Sequence, residues 1–242
     1  QTLQRQQGPI TSLSFNAAGT RLLSASEDKT ILVWDTATWQ PLATSFSMNG
    51  RVNAARFSPD DQRIAAAASD GWLRVWNLES ATELWSVQAS SASLRSVVFS
   101  ADGKMLATAG VEKVISLWNA EDGSPLFTLP AHEKPIQSLA INRAGTLLVS
   151  ASEDSTLKLW DLQTKALAQS FQGGEEDRKE FTSVLFSADE TMLISAGRDR
   201  AVRIWNIKAG VEVNSLPGHV DAILSAAISP DSATLVTVSK DE

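Results

Sequence analysis

Apolar and polar residues alternate along short stretches of this chain, and the alternation recurs at a nearly constant interval. Stretches such as ITSLSFN, RLLSAS and ILVWD put apolar side chains on one face and small or polar ones on the other. That period of two is the mark of a half-buried β-strand. Polar phrases separate the stretches: NAAGT, SPDD, SADGK, NRAGT, SADE and SPDS. In such turns Pro presets φ, Gly permits positive φ, and short Asp or Asn carbonyls hydrogen-bond back to the chain. A last stretch closes each unit: PLATSF, ELWSVQ, PLFTLP, ALAQSF and EVNSLP. No segment keeps a 3.6-residue apolar period, so almost no helix is expected. The pattern predicts four short strands per unit, here termed a to d.

Tryptophan sets the register. Trp34, Trp76, Trp118, Trp160 and Trp205 are spaced by 42, 42, 42 and 45 residues. Each is followed by a short polar residue: Asp35, Asn77, Asn119, Asp161, Asn206. An acid stands six places before each: Asp28, Asp70, Glu112, Asp154, Asp199. A sixth copy begins at GHVDAILSAAISPDSATLVTVSKDE. Four antiparallel strands per repeat predict an all-β fold, a β-propeller of five complete repeats plus an incomplete sixth.

At these residues the chain resembles the WD40-repeat β-propeller family. The Trp-Asp/Asn dipeptide, the acid six before it, and the openings AHEKPI (His132) and PGHVDAI (His219) carry the resemblance, which covers essentially all 242 residues. It implies a hydrogen-bonded tetrad in each blade. The full set occurs in the fourth repeat as His132, Ser150, Asp154 and Trp160. The first repeat has Gln6, Ser24, Asp28 and Trp34, and the fifth Asp177, Ser195, Asp199 and Trp205. The second puts Met48 and Ala66 in the His and Ser places, and the third has Ser90, Thr108 and Glu112. A buried carboxylate is costly unless donors satisfy it, so the second and third blades are expected to be looser. His132, Ser150 and Asp154 have the composition of a nucleophilic triad, but partial recurrence of the set across repeats marks a packing device.

The resemblance also implies which residues surround the face where partners dock. Two positions at the start of strand a and the residue before the tetrad acid supply Arg51, Asn53, Arg95, Gln137, Arg198, Glu27 and Glu153. The signs are mixed, which suits a protein or peptide with both charges, held around one opening. Arg51, Arg95 and Arg198 are the expected anchors.

Composition narrows the rest. The net charge is −7 and the pI about 5.0, so neither nucleic acid nor an anionic membrane surface is an expected partner. No apolar run reaches the roughly 18–20 residues of a membrane helix, and a cytoplasmic location is expected. The chain has no Cys, which excludes disulfides, thiolate catalysis and Cys-ligated metals. Two His and Asp residues spread over separate blades imply no metal and no cofactor. No G-x-S-x-G, P-loop or H-E-x-x-H is present, and no enzyme activity is expected.

Three features stand outside the repeat. Trp39, Trp72 and Trp85 break the tryptophan pattern. The first two are read as turn residues, either surface contacts or stacked on a neighbouring blade. The run GGEEDRKE (Gly173 to Glu180) carries the three-residue insertion behind the 45-residue spacing. It reads as a solvated loop, or as a charged loop steering a ligand. QTLQ matches a strand-d phrase, and no Trp follows Asp241. Residues 1–242 are therefore read as a single propeller, or an arc of a longer one, truncated at both ends. The expected function is a non-catalytic protein–protein interaction scaffold. The alternative is a sensor or regulatory arm of a larger signalling NTPase or kinase.

Overall fold

The computed structural model describes residues 2–172 and 180–241. Among these residues there is no helix. The first sheet holds β1 (Ile10–Phe15), β2 (Arg21–Ser26), β3 (Thr30–Asp35) and β4 (Pro41–Ser47). The second holds β5 (Val52–Phe57), β6 (Arg63–Ala68), β7 (Trp72–Asn77) and β8 (Glu83–Gln88), and the third β9 (Leu94–Phe99), β10 (Met105–Gly110), β11 (Val114–Asn119) and β12 (Pro125–Pro130). The fourth holds β13 (Ile136–Ile141), β14 (Leu147–Ser152), β15 (Thr156–Asp161) and β16 (Ala166–Gln172). The fifth holds β17 (Phe181–Phe186), β18 (Met192–Gly197), β19 (Ala201–Asn206) and β20 (Val211–Pro217). A last pair, β21 (Ile223–Ile228) and β22 (Leu235–Ser239), forms a two-stranded sheet. Each four-stranded sheet is antiparallel and runs a-b-c-d in chain order, with d at one edge. Residues 2–4 of the QTLQ phrase, read as a strand d, form none.

The chain divides into two compact units, residues 1–128 and 129–242. In the first unit β1 packs on β5 and β5 on β9. Leu23, Ile31, Phe46, Val52, Ile64 and Trp76 share one core there, and Leu73, Val75, Leu94, Leu106 and Trp118 another. In the second unit β13 packs on β17 and β17 on β21, around Val149, Leu157, Phe171, Phe181 and Trp205. Strand b lies inside its sheet and is buried on both faces, which suits runs such as RIAAAA and RLLSAS. Three of the repeat Trp residues, Trp76, Trp118 and Trp205, fill seams between sheets: Phe46 meets Trp76 at 5.7 Å, and Phe171 meets Trp205 at 5.9 Å, in tilted or edge-on geometry.

Turn chemistry explains the residue after each Trp. Asp35 Oδ1 accepts from the Ala37 and Thr38 N–H groups at 3.0 and 2.8 Å, and Asn77 Oδ1 from those of Glu79 and Ser80. Asn119, Asp161 and Asn206 cap their own c–d turns in the same way. The dipeptide thus joins a seam filler to an Asx cap. The a–b turns tie successive sheets together: Asn16 donates to Asp61 at 2.8 Å, and Asn142 to Glu190 at 3.0 Å.

Candidate functional site

The polar sets come first, because they have the residue types of an active site. In the fourth sheet His132 Nδ1 is 2.8 Å from Asp154 Oδ2, and its Nε2 is 2.7 Å from Ser150 Oγ. Trp160 Nε1 donates to the same hydroxyl at 3.1 Å. Asp154 also accepts from the Glu133 N–H and from the N–H and hydroxyl of Thr156. Burial pushes the Asp154 carboxyl up, but the bonds from His132, Thr156 and Glu133 outweigh it and hold the carboxyl well below the ordinary carboxylate range. Ser150 is fully buried and His132 nearly so. A hydroxyl so enclosed, with the indole N–H already on its oxygen, offers no approach to a substrate carbonyl. The set is a lock between strands b and c and the d–a loop.

The other repeats reach the same end with different residues. In the first, Ser24 donates to Gln6 Oε1 at 2.6 Å, Trp34 Nε1 donates to Ser24 at 2.8 Å, and Gln6 Nε2 donates to Thr30, whose hydroxyl donates to Asp28. Thr30 and Thr156 are members that the four-residue pattern omits; the shared phrase SASED-x-T in the first and fourth repeats is the signal that exposes them. In the third, Trp118 donates to Thr108, and Glu112 accepts from the Ser91 N–H and hydroxyl. The sixth pairs His219 with Asp241 at 2.8 Å and with Thr237 at 2.7 Å. Thr237 stands four places before its acid, as Ser24 and Ser150 do.

Two repeats depart further. In the second, Met48, Ala66 and Trp76 are all buried in one apolar core with Phe46. Hydrophobic contact replaces the polar chain there. In the fifth, Trp205 donates to Ser195 at 2.8 Å, but Asp199 is paired with buried Arg203 from strand c, which also reaches Glu212 at 3.3 Å. Asp177, assigned to the His place, and residues 173–179 of the charged run lie outside the described residues. Nothing in the four-residue pattern pointed to Arg203.

The residues expected on the docking face sit at the b–c end of the strands, and their placement follows from a bulge. In every sheet the a–b register slips at the second residue of strand a: Thr11, Asn53, Arg95, Gln137, Thr182 and Leu224. A bulge re-aims its side chain. Three of these reach the first residue of the next strand a: Thr11 Oγ1 to Val52 O at 2.6 Å, Asn53 Nδ2 to Leu94 O at 2.6 Å, and Thr182 Oγ1 to Ile223 O at 2.8 Å. Asn53 therefore ties sheets together. Gln137 donates to Glu153. Arg51 pairs with Glu27 at 3.5 Å and Arg198 with Glu180 at 3.1 Å, with more than half of each Arg side chain exposed. Arg95 is half-buried.

The extra tryptophans are also placed. Trp72 is the first residue of β7 and not a turn residue; it packs on the first core, with Arg74 over its ring at 5.7 Å. Trp39 is in the c–d turn at φ 55°, half-buried. Trp85 packs against the third sheet. Among the described residues no helix is long and apolar enough to cross a membrane, and no group of three His, Asp or Glu is placed to hold a metal ion.

Repeated four-stranded antiparallel sheets, seam tryptophans and recurring polar locks define a WD40-type β-propeller domain. The family model described as the first β-propeller of IFT122 matches residues 1–242, and the chain belongs to that family. No curated protein matches it.

Proposed function

We propose that this domain is a non-catalytic platform that binds a protein or peptide segment at the b–c end of its strands. The observation that carries the reading is a division of labour among charged residues. The lock carboxylates Asp28 and Asp154 are each held by several donors in their b–c turns, whereas Arg51, Glu27 and Arg198 at the same end of the strands stand more exposed. Arg51, Glu27 and Arg95 serve in the first unit, and Gln137, Glu153 and Arg198 in the second. A guanidinium holds a carboxylate bidentately, and Arg is a frequent interface anchor. Exposed pairs such as Arg51–Glu27 contribute little to stability and can be exchanged for a partner's groups. The ligand is therefore a segment that carries acidic residues, with basic ones to meet Glu27 and Glu153. The step from fold to binding rests on the family.

The test is capture of partners from lysate on the immobilised chain, followed by elution in rising salt. Charge pairs in water are screened as the Debye length shrinks to ~3 Å near 1 M. Specific partners are expected to elute with salt and to be lost from an Arg51→Glu, Arg198→Glu variant. Partners that resist salt and bind that variant equally would move the site elsewhere.

A further inference from the structure

A covalent modification site follows from the one repeat in which the polar lock gives way to apolar packing. In the first, third, fourth and sixth repeats the residue 21 places before the lock acid donates its backbone N–H to that acid. Gln7 donates to Asp28 at 2.6 Å, Ser91 to Glu112 at 3.0 Å, Glu133 to Asp154 at 3.0 Å and Val220 to Asp241 at 2.9 Å. Each bond pins the segment that leads into strand a. In the second repeat this place is Asn49 and the acid is Asp70. Met48, in the His place, joins the apolar core, and among the described residues the Asp70 carboxylate accepts only from the Trp72 N–H, at 3.3 Å. Neither the Asn49 nor the Gly50 N–H has an acceptor among the described residues.

Asn49 is exposed, and Gly50 follows it. Glycine is required there, because a Cβ at position 50 would sit 2.6 Å from Asp70 Cγ. Its backbone is also the freest of any residue, and no side chain shields its nitrogen. The two residues thus place a free side-chain amide beside an unengaged backbone nitrogen. The rest of the chain supplies internal controls. No other Asn is followed by Gly. Asn16, Asn53 and Asn142 are tied through Nδ2, Asn77, Asn119 and Asn206 cap turns through Oδ1, and Asn214 lies within β20. Three Asp–Gly pairs have the same backbone sequence as a cyclising site, but their glycine N–H groups are taken: Gly71 donates to Ala68 O at 3.1 Å, Gly103 to Ser100 O at 2.9 Å and Gly123 to Asn119 O at 2.9 Å.

We infer that Asn49–Gly50 is a site of spontaneous deamidation. Asn is a thermolabile residue, and here its neighbour is free to react. The Gly50 nitrogen gives its proton to solvent base and attacks Asn49 Cγ. An N–C bond closes a succinimide ring, the Cγ–Nδ2 bond breaks, and the amide leaves as ammonia with a proton from solvent. Water then adds to either ring carbonyl and breaks the C–N bond on that side, which leaves an aspartyl or an isoaspartyl residue at position 49. The product carries a new negative charge two residues before Arg51. Its effect on docking rests on the function proposed above: like charge opposes an acidic segment at Arg51.

The test is incubation of the folded 242-residue chain in warm, mildly alkaline buffer, followed by tryptic digestion and mass spectrometry beside a sample digested at time zero. The peptide 30–51 holds Asn49 as its only asparagine. It is expected to gain the mass difference between OH and NH2, with isoaspartyl product present, at least several-fold faster than any other Asn-containing peptide and than isomerisation at the three Asp–Gly pairs. Asn49→Gln, which would need a larger ring, is expected to keep its melting temperature and to slow the gain at least several-fold. An unchanged peptide 30–51, aspartyl product without isoaspartyl, an equal rate in Asn49→Gln, or equal rates at another Asn or at the Asp–Gly pairs would each overturn the inference. Asn49→Asp carries the charge from the start and is expected to capture less partner protein than Asn49→Gln. Equal capture would remove the effect on docking and leave the modification standing, so the two readings fail separately.

Discussion

Single side chains decide what the polar locks do. Removing the Asp154 carboxylate leaves His132, Thr156 and the Glu133 N–H without their acceptor, so Asp154→Ala is expected to cost ~1–3 kcal/mol in denaturant unfolding. Trp160→Ala empties a buried position and is expected to cost ~3–5 kcal/mol, whereas Trp39→Ala, at a half-buried turn position, costs less. Equal losses would make Trp39 a core residue. Acid adds a second handle. The folded Asp154 carboxyl lies below its ordinary value of 3.8, so its contribution is present above that pH and is lost as the pH falls through and below it. Unfolding free energy is expected to decline below about pH 4, and less steeply in Asp154→Asn. The fourth-repeat set was legible because all four residue types recur at fixed spacing. Arg203 was not, because a strand-c residue entering the lock leaves no trace in the spacing of His, Ser, Asp and Trp.

At the scale of the element, three turns per repeat each place one residue at positive φ. The b–c turn does so with Lys29, Gly71, Lys113, Ser155 and Arg200, at 66° to 83°. A left-handed L-residue costs roughly 1–2 kcal/mol, and Gly returns part of that through its greater freedom when unfolded. Lys113→Gly is therefore expected to stabilise by up to ~1 kcal/mol. Gly123→Ala is expected to destabilise, because the added methyl meets the Trp85 ring. Calorimetry on both variants separates turn strain from close packing. Strand order and hairpin positions were legible from alternation and turn phrases. The bulge at the second residue of strand a was not: Asn53 reads as an exposed polar position, and only the backbone register turns it toward Leu94 O. Trp72 was misplaced by one residue for a similar reason, since Gly71 ends the turn immediately before it.

For the whole molecule, the sheets carry stability, and on the function proposed above the strand ends carry recognition. Each compact unit has its own apolar core, and the seam tryptophans and polar locks recur sheet by sheet. The repeat was readable because every copy restates it; a binding surface is written once and has no internal copy for comparison. The measurement that tests this division most directly is partner capture by the variant Arg51→Ala, Arg198→Ala, read beside its melting temperature. The expected result is a melting temperature close to wild type, since exposed charge pairs contribute ~0–1 kcal/mol, together with loss of the captured partners. A folded variant that captures the same partners at wild-type strength would contradict the account.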